Sequence, residues 1–292
     1  MTIITEHAPA KINLTLEVLG RRPDGYHELQ SLVAFARDAA DVMSLDVSRP
    51  VGSEVAGPFG ATIAGQNLID VTLAKLAAAE PSLRLGHVVL TKNLPVAAGI
   101  GGGSADAAAV LRCVRRANPD RAEGVDWHAI AASLGADVPV CFENRASWMT
   151  GVGEILSPVS ELPALSAVLV NPLQEMPADK TVQVFRRLNA PPLQCSPVVK
   201  NAVSTSFANA NALITFMAEH GNSLERPARE VAPVIAEILA LTRGINGDRD
   251  AAVSGGGPTC FAIFELADTA NFYRSGWAAM HPNWWIVQTT LD

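Results

Sequence analysis

The run Pro95-Val-Ala-Ala-Gly-Ile-Gly-Gly-Gly-Ser104 carries the sharpest chemical signal in the 292-residue chain. Three consecutive glycines followed by Ser104, where an alanine-rich helical stretch begins, gather bare N–H groups and the positive end of a helix. That is an anion site, and a phosphate suits it. Glycine matters because the backbone must approach the phosphate with no Cβ in the way. The P-loop pattern is absent, since no lysine follows the glycines. The dinucleotide pattern GxGxxG ends here in Ser104, far from the first strand. An ordinary flexible strand-to-helix loop is the plainer alternative.

Three other places have residue types suited to chemistry. Lys11 and Asn13, two apart on a strand, leave the same face roughly 6–7 Å from each other. An ammonium and an amide so placed can hold a phosphoryl group and a hydroxyl together, although a solvated polar strand face is the commoner case. Tyr26 and His27 follow the turn Arg22-Pro23-Asp24-Gly25, and Tyr26 is one of 2 tyrosines in the chain. An exposed aromatic ring beside a histidine can stack on a base and bond its edge; an edge-strand tyrosine packed on the turn is the alternative. Asp137 follows Gly135, precedes Pro139, and has Val138, Val140 and Phe142 around it. A carboxylate there needs a donor and serves either as a structural cap or as a general base.

The elements that position these residues can be read from periodicity. Ile12, Leu14, Leu16 and Val18 alternate with Lys11, Asn13, Thr15 and Glu17, the pattern of a half-buried strand. Asn67 caps a predicted helix from Leu68 to Ala79, and His87 to Thr91 reads as a strand. A helix is expected from Ala105 to Arg116 and another between Asp126 and Gly135. Ala167–Val170 is expected as a strand, Asp179–Leu188 and Pro227–Leu241 as helices. The loop Ser254-Gly-Gly-Gly-Pro258 leads into the apolar strand Thr259–Phe264. A Ser/Pro-rich stretch at Pro158–Pro163 divides the chain into expected domains at 1–160 and 161–292, both of mixed helix and strand.

Apolar residues make up 49% of the chain and charged residues 17%, with a net charge of −7. A core of full size is available, which excludes disorder. No run is apolar enough to span a bilayer, and the charge argues against a basic face that wraps nucleic acid. Cys113, Cys141, Cys195 and Cys260 are scattered without a CxxC pair, which speaks against zinc and against a disulfide framework. The N-terminus lacks the look of a secretory signal. A cytoplasmic protein with no membrane, nucleic-acid or protein partner is the expectation.

Taken together, the segments resemble the GHMP kinase superfamily. The resemblance rests on APAKINLTLEVLGRRPDGYHELQSLV, LPVAAGIGGGSADAAAVL, GADVPVCF, GVGEIL, SLERPA and AVSGGGPTCFAIFE, which follow the family's order across almost the whole chain. The glycine loop belongs to the superfamily at large, whereas RPDGYHE points to its cytidine-recognising branch. The resemblance implies an α+β fold, with an N-terminal domain like ribosomal protein S5 domain 2, a ferredoxin-like C-terminal domain and a cleft between them. It further implies transfer of the γ-phosphoryl of ATP, accompanied by Mg²⁺, to the 2-hydroxyl of a cytidylylated methylerythritol, a step toward isoprenoid precursors. By the same resemblance, Pro95, Val96, Ala97, Ala98, Gly99, Ile100, Gly101, Gly102, Gly103, Ser104 and Ala105 wrap the ATP phosphates. Asp137 is the base and Lys11 its partner. Tyr26 stacks on cytosine, His27 reads its edge, and Asn13 helps place the substrate. No carboxylate ligand for the metal is identified, and Ser104 is the candidate ligand.

The chain departs from the family pattern in its second half. LQEMPADKTVQVF after Asn171-Pro172 is longer than usual, with Thr181 the counterpart of the family's threonine. Asn222-Ser223-Leu224-Glu225 lacks one carboxylate of its motif, and Ser254–Pro258 has a third glycine. Another GHMP kinase, acting on homoserine, mevalonate or a sugar, and a non-catalytic nucleotide-binding regulator are the alternative readings.

Overall fold

The computed structural model describes residues 3–62, 67–177, 179–193, 206–246 and 251–292. Cys195 lies outside the described residues. In chain order the strands are β1 (Ile3–Asn13), β2 (Glu17–Arg21), β3 (His27–Asp46), β4 (Gly52–Ala56), β5 (His87–Thr91), β6 (Ser147–Gly151), β7 (Ile155–Pro158), β8 (Leu165–Asn171), β9 (Ala251–Val253), β10 (Cys260–Phe264) and β11 (Trp285–Leu291). The helices are α1 (Leu68–Ala79), α2 (Gly102–Ala117), α3 (Trp127–Leu134), α4 (Val138–Glu143), α5 (Lys180–Leu188), α6 (Ala210–His220), α7 (Glu225–Val231), α8 (Val234–Asn246) and α9 (Ala267–Met280). Helices and strands are mixed throughout, as expected of an α+β protein.

Contacts divide the chain into two compact units, and neither is one continuous piece. The first comprises 1–10, 39–96 and 101–144; the second comprises 11–38, 97–100 and 145–292. In the first unit, the second half of β3 pairs antiparallel with β5, Met43 opposite Leu90, and β5 pairs parallel with β4. Parallel strands need a crossover, and α1 supplies it. Asn67 caps α1 by accepting from Ile69 N at 3.1 Å. The alanines of α2 are buried among α1, α3 and α4.

In the second unit, the first half of β3 is flanked by β2, with Val18 opposite Leu29, and by β6, with Leu32 opposite Trp148. The order β9-β10-β8-β11 completes its antiparallel sheet. All of β10 and all but one residue of β8 are buried, which is why β10 and Ala167–Val170 of β8 read as unbroken apolar runs. Val168, Val170, Val184, Leu224, Ile235, Ile238 and Trp277 form the core on this sheet.

Two expectations need correction, and one element was not expected. The polar residues alternating in β1 and just after it do not face solvent: Lys11 is 4% exposed, Asn13 4% and Thr15 1%. The helix expected over Pro227–Leu241 is two helices. Ala232, held extended at φ −132°, precedes Pro233, whose ring disfavours the helical conformation in the residue before it. Lastly, β3 extends over 20 residues, a strand that its long apolar run did not reveal by periodicity.

Candidate active site

Within the second unit, the glycine loop is held by its carbonyls. Ala97 O accepts from Lys180 Nζ at 3.1 Å, Ala98 O from Thr259 N at 3.1 Å, Gly99 O from Ser254 Oγ at 3.2 Å, and Ile100 O from Lys11 N at 2.9 Å. A trans peptide points its N–H opposite to its C=O. The amides that follow these carbonyls therefore turn away from the donors, and among the described residues those of Ala98–Gly101 meet no backbone carbonyl. Gly99 has no alternative at its position. Its φ is +78°, and a Cβ there would stand 2.4 Å from Gly257 O. The two glycine loops thus touch backbone to backbone.

Lys11 and Asn13 sit at the end of β1, and Lys11 Nζ donates to Asn13 Oδ1 at 3.0 Å. Asn13 Nδ2 in turn donates to Ser31 Oγ at 2.7 Å, and Ser31 Oγ donates to Thr15 O at 2.6 Å. Asn13 N donates to Ser254 Oγ at 3.2 Å, so one serine hydroxyl joins the strand to the glycine loop. Such a chain of bonds fixes the amide orientation of Asn13, with its oxygen toward the ammonium.

The motifs whose role the sequence left open hold the second glycine loop. Asn222 Nδ2 donates to Val253 O at 2.8 Å and to Gly255 O at 2.9 Å. Asn171 Nδ2 donates to Thr259 Oγ1 at 2.8 Å. Ser223 Oγ, where a carboxylate is missing from the motif, accepts from Val18 N at 3.1 Å. Glu225 makes a two-pronged pair with Arg243, at 2.9 and 2.8 Å.

The turn before β3 presents Tyr26, 66% exposed. Asp24 Oδ1 accepts from Tyr26 N at 3.0 Å, and Arg22 N donates to Tyr26 O at 2.7 Å, the local chemistry expected of Asp in a turn. His27 stacks on Phe185 of α5, with ring centroids 4.6 Å apart. Burial, aided by the Arg21 guanidinium, holds the His27 imidazole below its ordinary range. It is neutral at pH 7, with one nitrogen to donate and one to accept.

In the first unit, Gly101 has φ +64° and opens α2 without a side-chain cap. The first N–H groups of that helix, from Gly102 to Ala105, begin the turn that the glycines of the sequence motif supply. Lys92, 2% exposed, stands beside this turn: a Cβ on Gly102 would lie 3.3 Å from its Nζ. Lys92 Nζ pairs with Asp41 Oδ2 at 2.5 Å and Asp106 Oδ2 at 2.6 Å, and Asp41 Oδ1 accepts from Leu94 N at 2.8 Å. Asp137 precedes α4, half-buried, and its carboxylate makes no capping bond to that helix. The cap reading therefore falls. Arg112 fixes α4 from α2: NH1 donates to Cys141 O at 2.6 Å, and Nε bonds Glu6 at 3.1 Å.

Lys180, Lys92, Asp41, Asp106 and Ser254 were not legible as site residues. Asp106 carried a local signal, a charge inside the alanine run of α2, and Ser254 opens the second glycine loop that the sequence showed. Among the described residues no group of three His, Cys, Asp or Glu side chains is arranged to hold a metal, and no helix is long and apolar enough to cross a membrane.

Comparison with known proteins agrees with this architecture. The family model for the GHMP kinases N terminal domain matches residues 64–145, and that for GHMP kinases C terminal matches residues 198–283. A 4-diphosphocytidyl-2-C-methyl-D-erythritol kinase of Methylorubrum extorquens is 45% identical, covering 100% of both chains. Its namesake in Dinoroseobacter shibae is 42% identical, covering 99% of this chain and 95% of its own. A crystal structure of 4-(cytidine 5'-diphospho)-2C-methyl-D-erythritol kinase superposes with a TM-score of 0.74 at 31% identity, covering 99% of each chain. Identity at this level from end to end, on a shared fold, makes the chain a member of the 4-diphosphocytidyl-2-C-methyl-D-erythritol kinase family of the GHMP kinases.

Proposed function

We infer that the protein transfers the γ-phosphoryl of ATP to the 2-hydroxyl of 4-diphosphocytidyl-2-C-methyl-D-erythritol, releasing ADP. The observation that carries the substrate assignment is the exposed Tyr26 ring beside a neutral His27 in the turn before β3. Tyr26 offers a face on which cytosine stacks. His27, held by Phe185, offers both a donor and an acceptor to the edge of the base.

Phosphoryl transfer asks a protein for alignment and for stabilisation of charge. In the proposed step the substrate oxygen forms a bond to the γ-phosphorus, the bond from that phosphorus to the ADP oxygen breaks, and Asp137 takes the hydroxyl proton. The Lys11 ammonium neutralises charge on the transferring group, while Asn13, fixed through Ser31, orients the substrate. Residues Pro95–Ala105 bind the nucleotide phosphates, a reading supported by the pinned carbonyls that leave loop amides as donors. Mg²⁺ is assigned to the nucleotide, consistent with an ion that keeps its waters and substrate phosphates as ligands; the Ser104 hydroxyl is the protein oxygen offered to it.

An ADP-release assay with MgATP tests the function, comparing the cytidylylated alcohol with homoserine, mevalonate and galactose. Turnover with the cytidylylated alcohol alone is expected. Turnover with another acceptor would reassign the substrate, and ATP binding without turnover on any acceptor would favour the regulator.

A further inference from the structure

Lys180 opens α5, yet its side chain is only 6% exposed. Its Nζ donates to Ala97 O at 3.1 Å and also to Gly257 O. No carboxylate is among these partners, and burial pushes the ammonium down to about 8. Enclosing a cation against carbonyls alone is costly; an apolar side chain of the same length would fill this space with less penalty. What the ammonium adds is a bond to each of the two glycine loops.

The loop residue it holds is an unusual one. Ala97 has φ +55°, a left-handed conformation that a residue with a Cβ rarely adopts. Fixing the Ala97 carbonyl fixes the whole peptide plane, and with it the direction of the Ala98 N–H. The next three carbonyls are held by Thr259, Ser254 and Lys11, so Lys180 supplies the first of four anchors.

We propose that Lys180 is a positioning residue for nucleotide phosphate binding, holding Ala97 against Gly257 so that the loop amides are set before ATP arrives. The inference rests on reading Pro95–Ala105 as the ATP loop. It concerns how that loop is kept in shape, and it gives Lys180 no contact with the reacting atoms.

The test is Lys180→Met, which keeps length and removes the donors, with Lys180→Arg as the conservative variant. In the nucleotide-free protein, hydrogen exchange of peptides spanning 95–104 and 254–258 is expected to quicken at least tenfold in Lys180→Met, with peptides elsewhere unchanged. KM for ATP should rise tenfold or more, KM for the cytidylylated alcohol should stay within twofold, and Tm should hold or rise. Lys180→Arg should recover most of the ATP KM. An unchanged ATP KM in Lys180→Met overturns the proposal, as does a rise in both KM values with faster exchange throughout the chain. Should Lys180→Met not fold, Lys180→Leu, which also lacks a donor, carries the same comparison. If the wild-type protein fails to bind ATP in calorimetry, the ATP-loop reading itself falls and takes this role with it. Wild-type ATP binding with a wild-type-like variant removes only the role of Lys180.

Discussion

The Nζ of Lys92 stands 2.6 Å from Asp106 Oδ2, deep in the first unit, and cannot neutralise Asp106 alone because Asp41 claims the same ammonium at 2.5 Å. Two carboxylates and one cation leave an excess negative charge, and Asp106 Oδ1 has no hydrogen-bond partner. Burial, with the Asp41 charge adding and Lys92 opposing, pushes the Asp106 carboxyl up to about 8. In the unfolded chain it titrates near ~4. The folded state therefore binds the proton more tightly, and stability from this group falls as pH rises from about 4 through 8. Urea midpoints at pH 5.5 and 8.5 should be lower at the alkaline value for the wild type. Asp106→Asn, which offers an N–H where Oδ1 lacks a partner, should shrink the difference by at least half.

Asp137→Asn keeps the shape of the side chain while removing the proposed base. Turnover should drop by about 10²–10⁴, with KM for both substrates within about threefold. Steady-state kinetics at saturating MgATP read this out, and a wild-type kcat would reject the assignment.

Tyr26 is exposed enough that its loss should leave the fold intact. Stacking of a base on an aromatic ring contributes about 1–3 kcal/mol. Tyr26→Ala should thus raise KM for the cytidylylated alcohol about 5- to 150-fold while ATP KM stays within twofold, and Tyr26→Phe should be near wild type. Equal rises in both values would make Tyr26 a structural residue.

The two ends of the glycine loop should separate stability from binding. Gly99→Ala meets a positive φ and the Gly257 carbonyl at 2.4 Å, so it should lose more than the ~1–2 kcal/mol of the backbone conformation alone, measured by chemical denaturation. Around Gly103 a Cβ meets nothing within 4 Å. Gly103→Ala should gain up to ~1 kcal/mol from helix propensity and still weaken ATP binding, because the methyl occupies the phosphate's approach. Equal ATP affinity in Gly103→Ala and wild type would move the phosphates elsewhere.

Much of the local structure was legible because local chemistry sets it. Helix α1 and strand β5 have the bounds that the Asn67 cap and the apolar pattern predict, and the Tyr26 turn follows from Asp24 and Gly25. What escaped depends on partners far along the chain. Lys180 reaches carbonyls 83 and 77 residues away, and Lys11 and Asn13 are buried against Ile100, Ser254 and Ser31, partners distant in sequence that an alternating pattern cannot reveal. The carboxylate missing at Ser223 looked like a weakened motif, yet the hydroxyl there caps a strand amide. Polar residues of the second half serve largely to hold loops, a use of side chains with no periodicity to betray it.

The division of β3 between the units bears on how the chain is made. Leu29–Val33 of β3 pairs with β6 at Ser147–Gly151, a partner synthesised more than a hundred residues later. At about 5–20 residues per second, a ribosome leaves that strand edge open for on the order of ten seconds, with Leu32 and Val33 uncovered. The first unit, all of whose pieces lie before residue 145, can close while the edge waits. A nascent chain halted near residue 145 should therefore engage chaperones through β3, and the fragment 145–292, lacking 11–38, should be insoluble on its own.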